Sequence, residues 1–280
     1  MSSKYYCLVA GLPDLSPDDS KLSYSVADFK DEIYPELSAS DKRLVDLFYL
    51  KFDNANLLKL LTDKEAEIDT RGRFTAEELL ACMATLHDEE ARYTGPVPGY
   101  LCRFIAEQQA EESTLNGLPE DRLSTLYYEY AMGCDNTFVS RWFEMNLHTN
   151  NLLAALTARR YRLDVAASVV GNDAVARALR TSNARDFGLA GEYDYLDALL
   201  KISETPDLVE REKRLDALRW NWLDEATFFD YFTVERLFAF LLKSEMLERW
   251  LSLDKEKGSQ LFRSIIQGLK EQVSIPAEFK

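Results

Sequence analysis

The chain has 280 residues, 46% of them hydrophobic, which is enough to bury the core of one large domain or two modest ones. Its 48 acidic and 33 basic residues give a net charge of −15, which argues against nonspecific binding to nucleic acid or to an anionic membrane surface. The four cysteines show neither CxxC spacing nor a zinc-ligand pattern, and no apolar run is long enough to cross a membrane. We therefore expect a cytoplasmic protein without direct membrane insertion, so that any membrane association must be through a partner.

The N-terminal part predicts one strand-like run followed by helices. Residues 5–10 (YYCLVA) have the composition of a strand, although a buried extended lead-in fits them equally well. Ser25 and Asp28 resemble a capping box that opens a short helix, which Pro35 should end. A longer helix is predicted from Ser40 onward.

Polar and breaker residues divide the chain further. Residues 64–73 are polar and predict a linker or turn, after which Thr75 and Glu78 form a clear capping box for the next helix. Residues 94–99 have proline or glycine at four of six positions, so they must interrupt the helices on either side. Further helices are predicted over residues 100–112, 120–132 and 255–271.

The most informative stretch is NLHTNNLLAALTARRYRLD, at residues 146–164. Read as a helix, it carries one core-facing stripe at steps of four and three residues: Met145, Thr149, Leu152, Leu156, Arg159 and Leu163. Arg159 lies on that stripe, whereas Arg160 and Arg162 diverge to its flanks. An arginine that faces a core needs a carboxylate partner.

A similar pattern occurs 95 residues earlier, which predicts a weak internal repeat. The positions that match are Leu44, Leu47, Phe48, Phe52, Asn56, Leu57, Leu58 and Leu61 in the first copy, and Val139, Trp142, Phe143, Leu147, Asn151, Leu152, Leu153 and Leu156 in the second.

The last third predicts two long helices. Thr205 and Pro206 provide a cap and a first-turn proline for one of them, and Thr233 caps the other. The second of these helices is apolar nearly all round, which is typical of a buried helix. Glu245 falls on one of its core-facing lines, and an unpaired buried carboxylate is costly. We therefore predict a structural ion pair between Arg159 and Glu245.

Residues 141–185 contain seven arginines and no lysine, which makes this segment the basic region of an acidic chain. Arginine without lysine favours bidentate pairing with carboxylates. Two interpretations remain open, namely pairing with the acidic surface of the same chain and a docking patch for a partner. The residues predicted to bind a partner are Arg160, Arg162, Arg177, Arg180 and Arg185.

Motifs of known chemistry are missing from the sequence. It contains no phosphate-binding glycine loop, no nucleophile elbow and no HExxH motif, and His87 and His148 fall on different predicted helices. We predict no catalytic residue, no metal site and no cofactor. The predicted fold is all-α, with helical bundles over residues 1–94, 95–191 (the arginine-rich one) and 192–280, or alternatively one continuous domain.

Two stretches resemble a known family. NNLLAALTARRYRLD is similar to a segment of the C subunit of V-type and archaeal-type ATPases, which is called the d subunit in the vacuolar enzyme. FTVERLFAFLLKSEMLERW resembles a late helix of that family, in which an apolar run precedes a glutamate and an arginine, here Glu245 and Arg249. Nearly the whole chain resembles a bacterial family encoded beside V-type ATPase subunits.

This resemblance implies a non-catalytic cytoplasmic subunit, peripheral to the inner membrane through its partners. The C subunit is a funnel of three similar helical bundles, which couples the central stalk to the membrane rotor ring during proton or sodium transport. Two alternatives stay open. One is a helical protein- or peptide-binding adaptor with an apolar pocket beside Trp220 and Trp222, and the other is a helical hydrolase with paired carboxylates and a metal ion.

Overall fold

A computed structural model describes residues 5–87, 93–110, 118–191 and 193–252. Within these residues the chain forms eleven α-helices and no β-strand, so the all-α prediction is confirmed. The helices are α1 Tyr6–Ala10, α2 Val26–Asp28, α3 Ala39–Thr62, α4 Ala76–Leu86, α5 Gly99–Gln109, α6 Pro119–Met132, α7 Thr137–Tyr161, α8 Ala174–Thr181, α9 Leu196–Ser203, α10 Leu208–Ala226 and α11 Val234–Ser252. None of them combines the length and apolar character that a membrane span requires. The helix predicted over 255–271 lies outside the described residues.

Side-chain caps fix several helix starts, as the sequence predicts. The Ser25 hydroxyl accepts a hydrogen bond from the Asp28 amide, and the Asp28 carboxylate accepts one from the Ser25 amide, which completes a capping box. Thr75 and Glu78 form the same box at the start of α4. At α10 the prediction is wrong by two residues, because Asp207 caps this helix through the Glu210 amide at 2.7 Å.

The predicted strand at residues 5–10 is also wrong, because these residues form α1. Within the run only Val9 is β-branched, and the Val9 amide donates to the Tyr5 carbonyl at 3.0 Å in a helical bond. The helical stretch that starts at α2 continues through a π-turn and a 3₁₀-turn to Glu36, so Pro35 lies inside the last turn.

The core-facing stripe predicted from Met145 to Leu163 is buried only in its N-terminal part. Met145 and Leu152 are buried, Arg159 is half-buried and Leu163 is 61% exposed. The reason is that α7 ends at Tyr161, where Arg162 takes a left-handed conformation with φ of 58°. Residues beyond that point no longer follow the helical period.

The buried apolar side chains form two clusters, a larger one around α3 to α6 and α11 and a smaller one around α8 and α9. Helix α7 contributes Met145 to the larger cluster and Leu152 to the smaller one. Helix α10 does the same with Trp220 and Leu215. Helices α7 and α10 therefore connect the two clusters, and the division into three bundles or one continuous domain stays a prediction.

Candidate functional site

The internal repeat is visible in the hydrogen bonds of two buried asparagines, Asn56 on α3 and Asn151 on α7. The Asn56 side chain donates to the Asp69 carbonyl at 2.9 Å and accepts from the Asp69 amide at 2.7 Å. The Asn151 side chain donates to the Val170 carbonyl at 2.7 Å and accepts from the Val170 amide at 2.8 Å. Each long helix therefore holds the loop that follows it by the same two-bond amide clamp.

The residues three positions before the asparagines are also equivalent in the repeat. Asp53 accepts hydrogen bonds from the Arg73 and Phe74 amides just before α4. Burial raises the pKa of Asp53, although these amides lower it. His148 lies 3.1 Å from a carboxylate oxygen of Asp173, the cap of α8. Both long helices thus hold the start of the next helix through a polar side chain.

Helices α3 and α7 also present equivalent positions to one cavity of about 230 Å³. Phe48 and Lys51 of α3 line it together with Phe143 and Asn146 of α7, which are their counterparts at the 95-residue spacing. The remaining walls come mainly from three other helices and include Tyr127 and Tyr128 of α6, Asp216 and Arg219 of α10, and Glu245 and Arg249 of α11. We call this space the polar cavity.

Ion pairs connect the helices around the polar cavity. Lys51 of α3 pairs with Glu245 of α11, with 2.8 Å between Nζ and Oε1. Asp216 of α10 accepts hydrogen bonds from Arg249, from Arg219 at 3.2 Å and from the indole of Trp250 at 2.7 Å. This carboxylate therefore joins α10 to α11 through two donors, Arg249 and Trp250, whereas Arg219 lies on α10 itself.

The surroundings of the polar cavity lower the pKa of the Lys51 ammonium group. Burial lowers its pKa, and the charges of Arg71 and Arg249 lower it further. Glu245 opposes both effects by pairing with it. The positive charges thus repel one another across a small volume.

Comparison with known proteins gives a family for this chain. Residues 1–273 match a family model described as protein of unknown function (DUF2764). The chain belongs to the DUF2764 family. Searches of curated proteins and of solved structures found no match. The function of this DUF2764 protein therefore has to be argued from its sequence and its geometry.

The predicted ion pair between Arg159 and Glu245 is wrong for this DUF2764 protein, because Glu245 pairs with Lys51. Arg159 instead donates to the carbonyl oxygens of Ser182 and, at 2.6 Å, of Ala184. Its guanidinium carbon lies 3.5 Å from the centre of the Phe187 ring, which is a cation–π contact. The carbonyls that follow α8 provide the acceptors, so Arg159 needs no carboxylate. Burial lowers the pKa of Arg159.

The five arginines predicted to bind a partner form two groups and one isolated residue. Arg160 donates to the Ser203 carbonyl at 2.8 Å, and Arg185 pairs with Glu204 at 3.2 Å, so both lie at the end of α9. Arg177 and Arg180 hold carbonyls of the loop before α8, namely those of Asn172, Val169 and Gly171. Arg162 caps α7 and is exposed. Intramolecular pairing thus accounts for four of the five, and a docking role stays a prediction.

The two tryptophans of α10 line different cavities. Trp222 lines a cleft of about 840 Å³, together with Phe138, Tyr193 and Tyr195. Trp220 lines a more apolar groove of about 950 Å³ between α10 and α11. Each tryptophan is less than 10% exposed, so both also contribute to the core.

No cluster of three or more histidine, cysteine, aspartate or glutamate residues suited to hold a metal ion occurs in the part of the chain that the structure describes. The sequence singled out Glu245 and Arg249 through a family resemblance, and both line the polar cavity. It did not single out Lys51, Asp216 or Arg219. One feature of the sequence could have pointed to Lys51. It lies 95 positions before Asn146, and the structure shows that these two equivalent residues line the same cavity.

Proposed function

We propose that this DUF2764 protein is a non-catalytic subunit of a V-type ATPase, which couples the central stalk to the membrane rotor ring in ATP-linked ion transport. It acts on the cytoplasmic side and is peripheral to the inner membrane through partner subunits. The observation that carries the proposal is the repeated amide clamp of Asn56 and Asn151. Repeated helical units accord with the bundle plan of the ATPase C subunit, which the sequence resembles around Asn151 and Glu245.

Stiffness supports the same proposal, since a coupling subunit must transmit torque without bending. Helices α7 and α10 run through both apolar clusters, so neither cluster can rotate against the other without disrupting a continuous helix. The ion pairs of the polar cavity tie α3 and α10 to α11. Both features serve a rigid spacer, and neither requires a reactive group.

The decisive experiment is deletion of the gene in a host with a V-type ATPase, followed by assays of ATP-driven ion pumping and of complex assembly. We expect the tagged wild-type chain to co-purify with stalk and ring subunits, and pumping to be lost on deletion and restored by the wild-type gene. Intact pumping without the gene, or the absence of any co-purifying ATPase subunit, would contradict the proposal.

The arginines predicted to bind a partner allow a more specific assembly test. Arg162 is exposed and the side chain of Arg185 is 85% exposed, so reversing both charges (Arg162→Glu with Arg185→Glu) should leave the fold intact. We expect co-purification to weaken. The matched control reverses two exposed arginines elsewhere, Arg43 on α3 and Arg214 on α10. Equal assembly by both double variants would contradict the docking patch.

The cavities beside Trp220 and Trp222 favour a second candidate, a helical adaptor that binds peptides. A panel of random peptides displayed against the purified chain would test it. We expect binders that lose affinity in a Tyr195→Ser variant, because Tyr195 lines the cleft of Trp222. Peptides that bind both forms equally would count against a site in this cleft.

A further inference from the structure

Three groups that line the polar cavity have hydrogen-bond donors that the described residues leave unused. The Nε–H of Arg219 is buried and finds no partner among the described residues. The Tyr128 hydroxyl accepts a bond from Asn150 at 3.3 Å, and within the same residues its proton has no acceptor. Lys51 carries three protons and directs one of them at Glu245. Of these groups only the Arg219 Nε–H is buried, whereas the Tyr128 hydroxyl and the Lys51 ammonium group are partly exposed. A buried donor without an acceptor is costly, so an acceptor is expected beside Arg219.

Among the residues that line the polar cavity, positive charges outnumber negative charges. Lys51, Arg219 and Arg249 carry three positive charges against the two negative charges of Asp216 and Glu245. Both carboxylates are already paired with these cations. Glu212, which does not line the cavity, also approaches Arg249, at 3.8 Å, and solvent screens this pair because both side chains are partly exposed. One positive charge therefore remains in excess within a chain whose net charge is −15.

Size limits what can occupy the polar cavity. Its 230 Å³ is several times the roughly 30 Å³ that one water occupies in the liquid, and below the roughly 300–1,000 Å³ of pockets for drug-sized ligands. Guanidinium and ammonium groups both bind the oxygen atoms of phosphate and carboxylate groups. These oxygens accept several hydrogen bonds at once and bring the negative charge that the cavity lacks.

We propose that the polar cavity binds one small oxyanion, a phosphate or carboxylate group, held by Arg219, Lys51 and the Tyr128 hydroxyl. The bound anion would join α3, α6 and α10 at the cavity that both repeat helices line. It would therefore stabilise this junction, because a ligand that binds only the folded state raises the stability of that state. This proposal does not depend on the one made for the rotary ATPase.

The test uses the full chain with inorganic phosphate, acetate or sodium chloride at matched ionic strength, with thermal unfolding and calorimetric titration as readouts. We expect phosphate, acetate or both to raise the melting temperature saturably and to bind with one-to-one stoichiometry, whereas chloride does neither. Binding of phosphate alone assigns a phosphoryl group, and binding of acetate alone assigns a carboxylate. A cavity filled only with water would give no saturable effect of either anion, which would overturn the proposal.

Two variants locate the site. Arg219→Gln should weaken anion binding about tenfold or more, because it removes a charged donor. Tyr128→Phe keeps the ring and its packing, and should weaken anion binding about three- to tenfold because it removes one hydroxyl. This variant also provides the test if Arg219→Gln does not fold. The control is Arg185→Gln at the exposed end of α9, which should bind like the wild type. Unchanged binding in the folded variants would place the anion elsewhere and overturn the proposal.

Discussion

A buried asparagine side chain has the donor and acceptor geometry of a peptide group, so it can form the pair of hydrogen bonds that another backbone segment would form. Asn56 and Asn151 use this property in the same way on α3 and α7, and each satisfies both polar groups of one loop residue. The two bonds fix where the loop leaves its helix. A single residue type therefore sets the geometry of each repeat.

Replacing Asn56 or Asn151 with alanine should reduce the free energy of unfolding by about 1–3 kcal/mol, since each change leaves a partly buried amide and a partly buried carbonyl without their partner. Urea denaturation monitored by circular dichroism measures this loss. The control is Asn183→Ala at an exposed loop position, which should change stability by less than about 0.5 kcal/mol. Losses no larger than in the control would show that the clamps do not stabilise the fold.

A double-mutant cycle distinguishes the ion pair that the structure contains from the one that the sequence predicted. For Lys51→Met and Glu245→Gln we expect a coupling energy of about 0.5–2 kcal/mol, because the two groups lie 2.8 Å apart and are only partly exposed. The matching cycle between Arg159→Met and Glu245→Gln should be additive within about 0.5 kcal/mol. Coupling in the second cycle but not in the first would contradict the structure.

At the scale of elements, helix α5 is joined to α6 by a bidentate contact. Arg122 donates to the two carboxylate oxygens of Glu107 at 2.7 and 2.5 Å, and Arg103 adds a third bond from within α5. The bonds from Arg122 hold the pKa of Glu107 below its ordinary value of 4.5, although burial raises it. This contact belongs to the folded state, so it links stability to pH.

The sign of that linkage follows from the direction of the shift. Because the folded state lowers the pKa of Glu107, its stabilisation is fully present above about pH 5 and is lost as the pH falls through the folded pKa. Glu107→Gln should therefore cost about 1–2 kcal/mol at pH 7 and a smaller amount at pH 3. Urea titrations at both pH values measure the difference. An equal loss at the two pH values would show that packing, and not the charge, is responsible.

At the scale of the molecule, two apolar clusters share two helices. Helix α7 spans 25 residues and enters both clusters, and α10 does so as well. Trp142, Trp220 and Trp222 belong to the larger cluster, whereas no tryptophan occurs among the described residues of the smaller one. Tryptophan fluorescence therefore reports on one cluster, while far-ultraviolet circular dichroism reports on both.

We expect the two signals to change together when the protein is unfolded with urea, because unfolding one cluster would leave half of α7 without its packing. Fluorescence and circular dichroism measured on the same samples test this expectation. A Leu199→Ala variant, altered in the core of the smaller cluster, should shift both transitions equally. A separate circular dichroism transition, with no change in fluorescence, would mean that the clusters unfold independently.

The sequence by itself determined the helical class and the capping boxes at Ser25 and Thr75, because these features depend on residues close together in the chain. The equivalence of Asn56 and Asn151 came from the match between two segments 95 residues apart. The sequence did not determine the start of the chain, where five residues form a helix without strong propensity. It also gave no reason to compare the loops after Asn56 and Asn151. Their clamped residues lie 13 and 19 positions further along, so a fixed 95-residue spacing does not align them.

Only the tertiary structure decided which charges meet. Lys51 and Glu245 are 194 positions apart, and their pairing depends on how α3 and α11 pack, not on any local pattern. Arg159 shows the converse, since the carbonyls of the loop after α8 satisfy it in place of a carboxylate. Helical periodicity gives the face on which a charge lies, whereas the partner on that face is set by long-range packing. The polar cavity, to which five helices contribute, therefore appears only when the chain is folded.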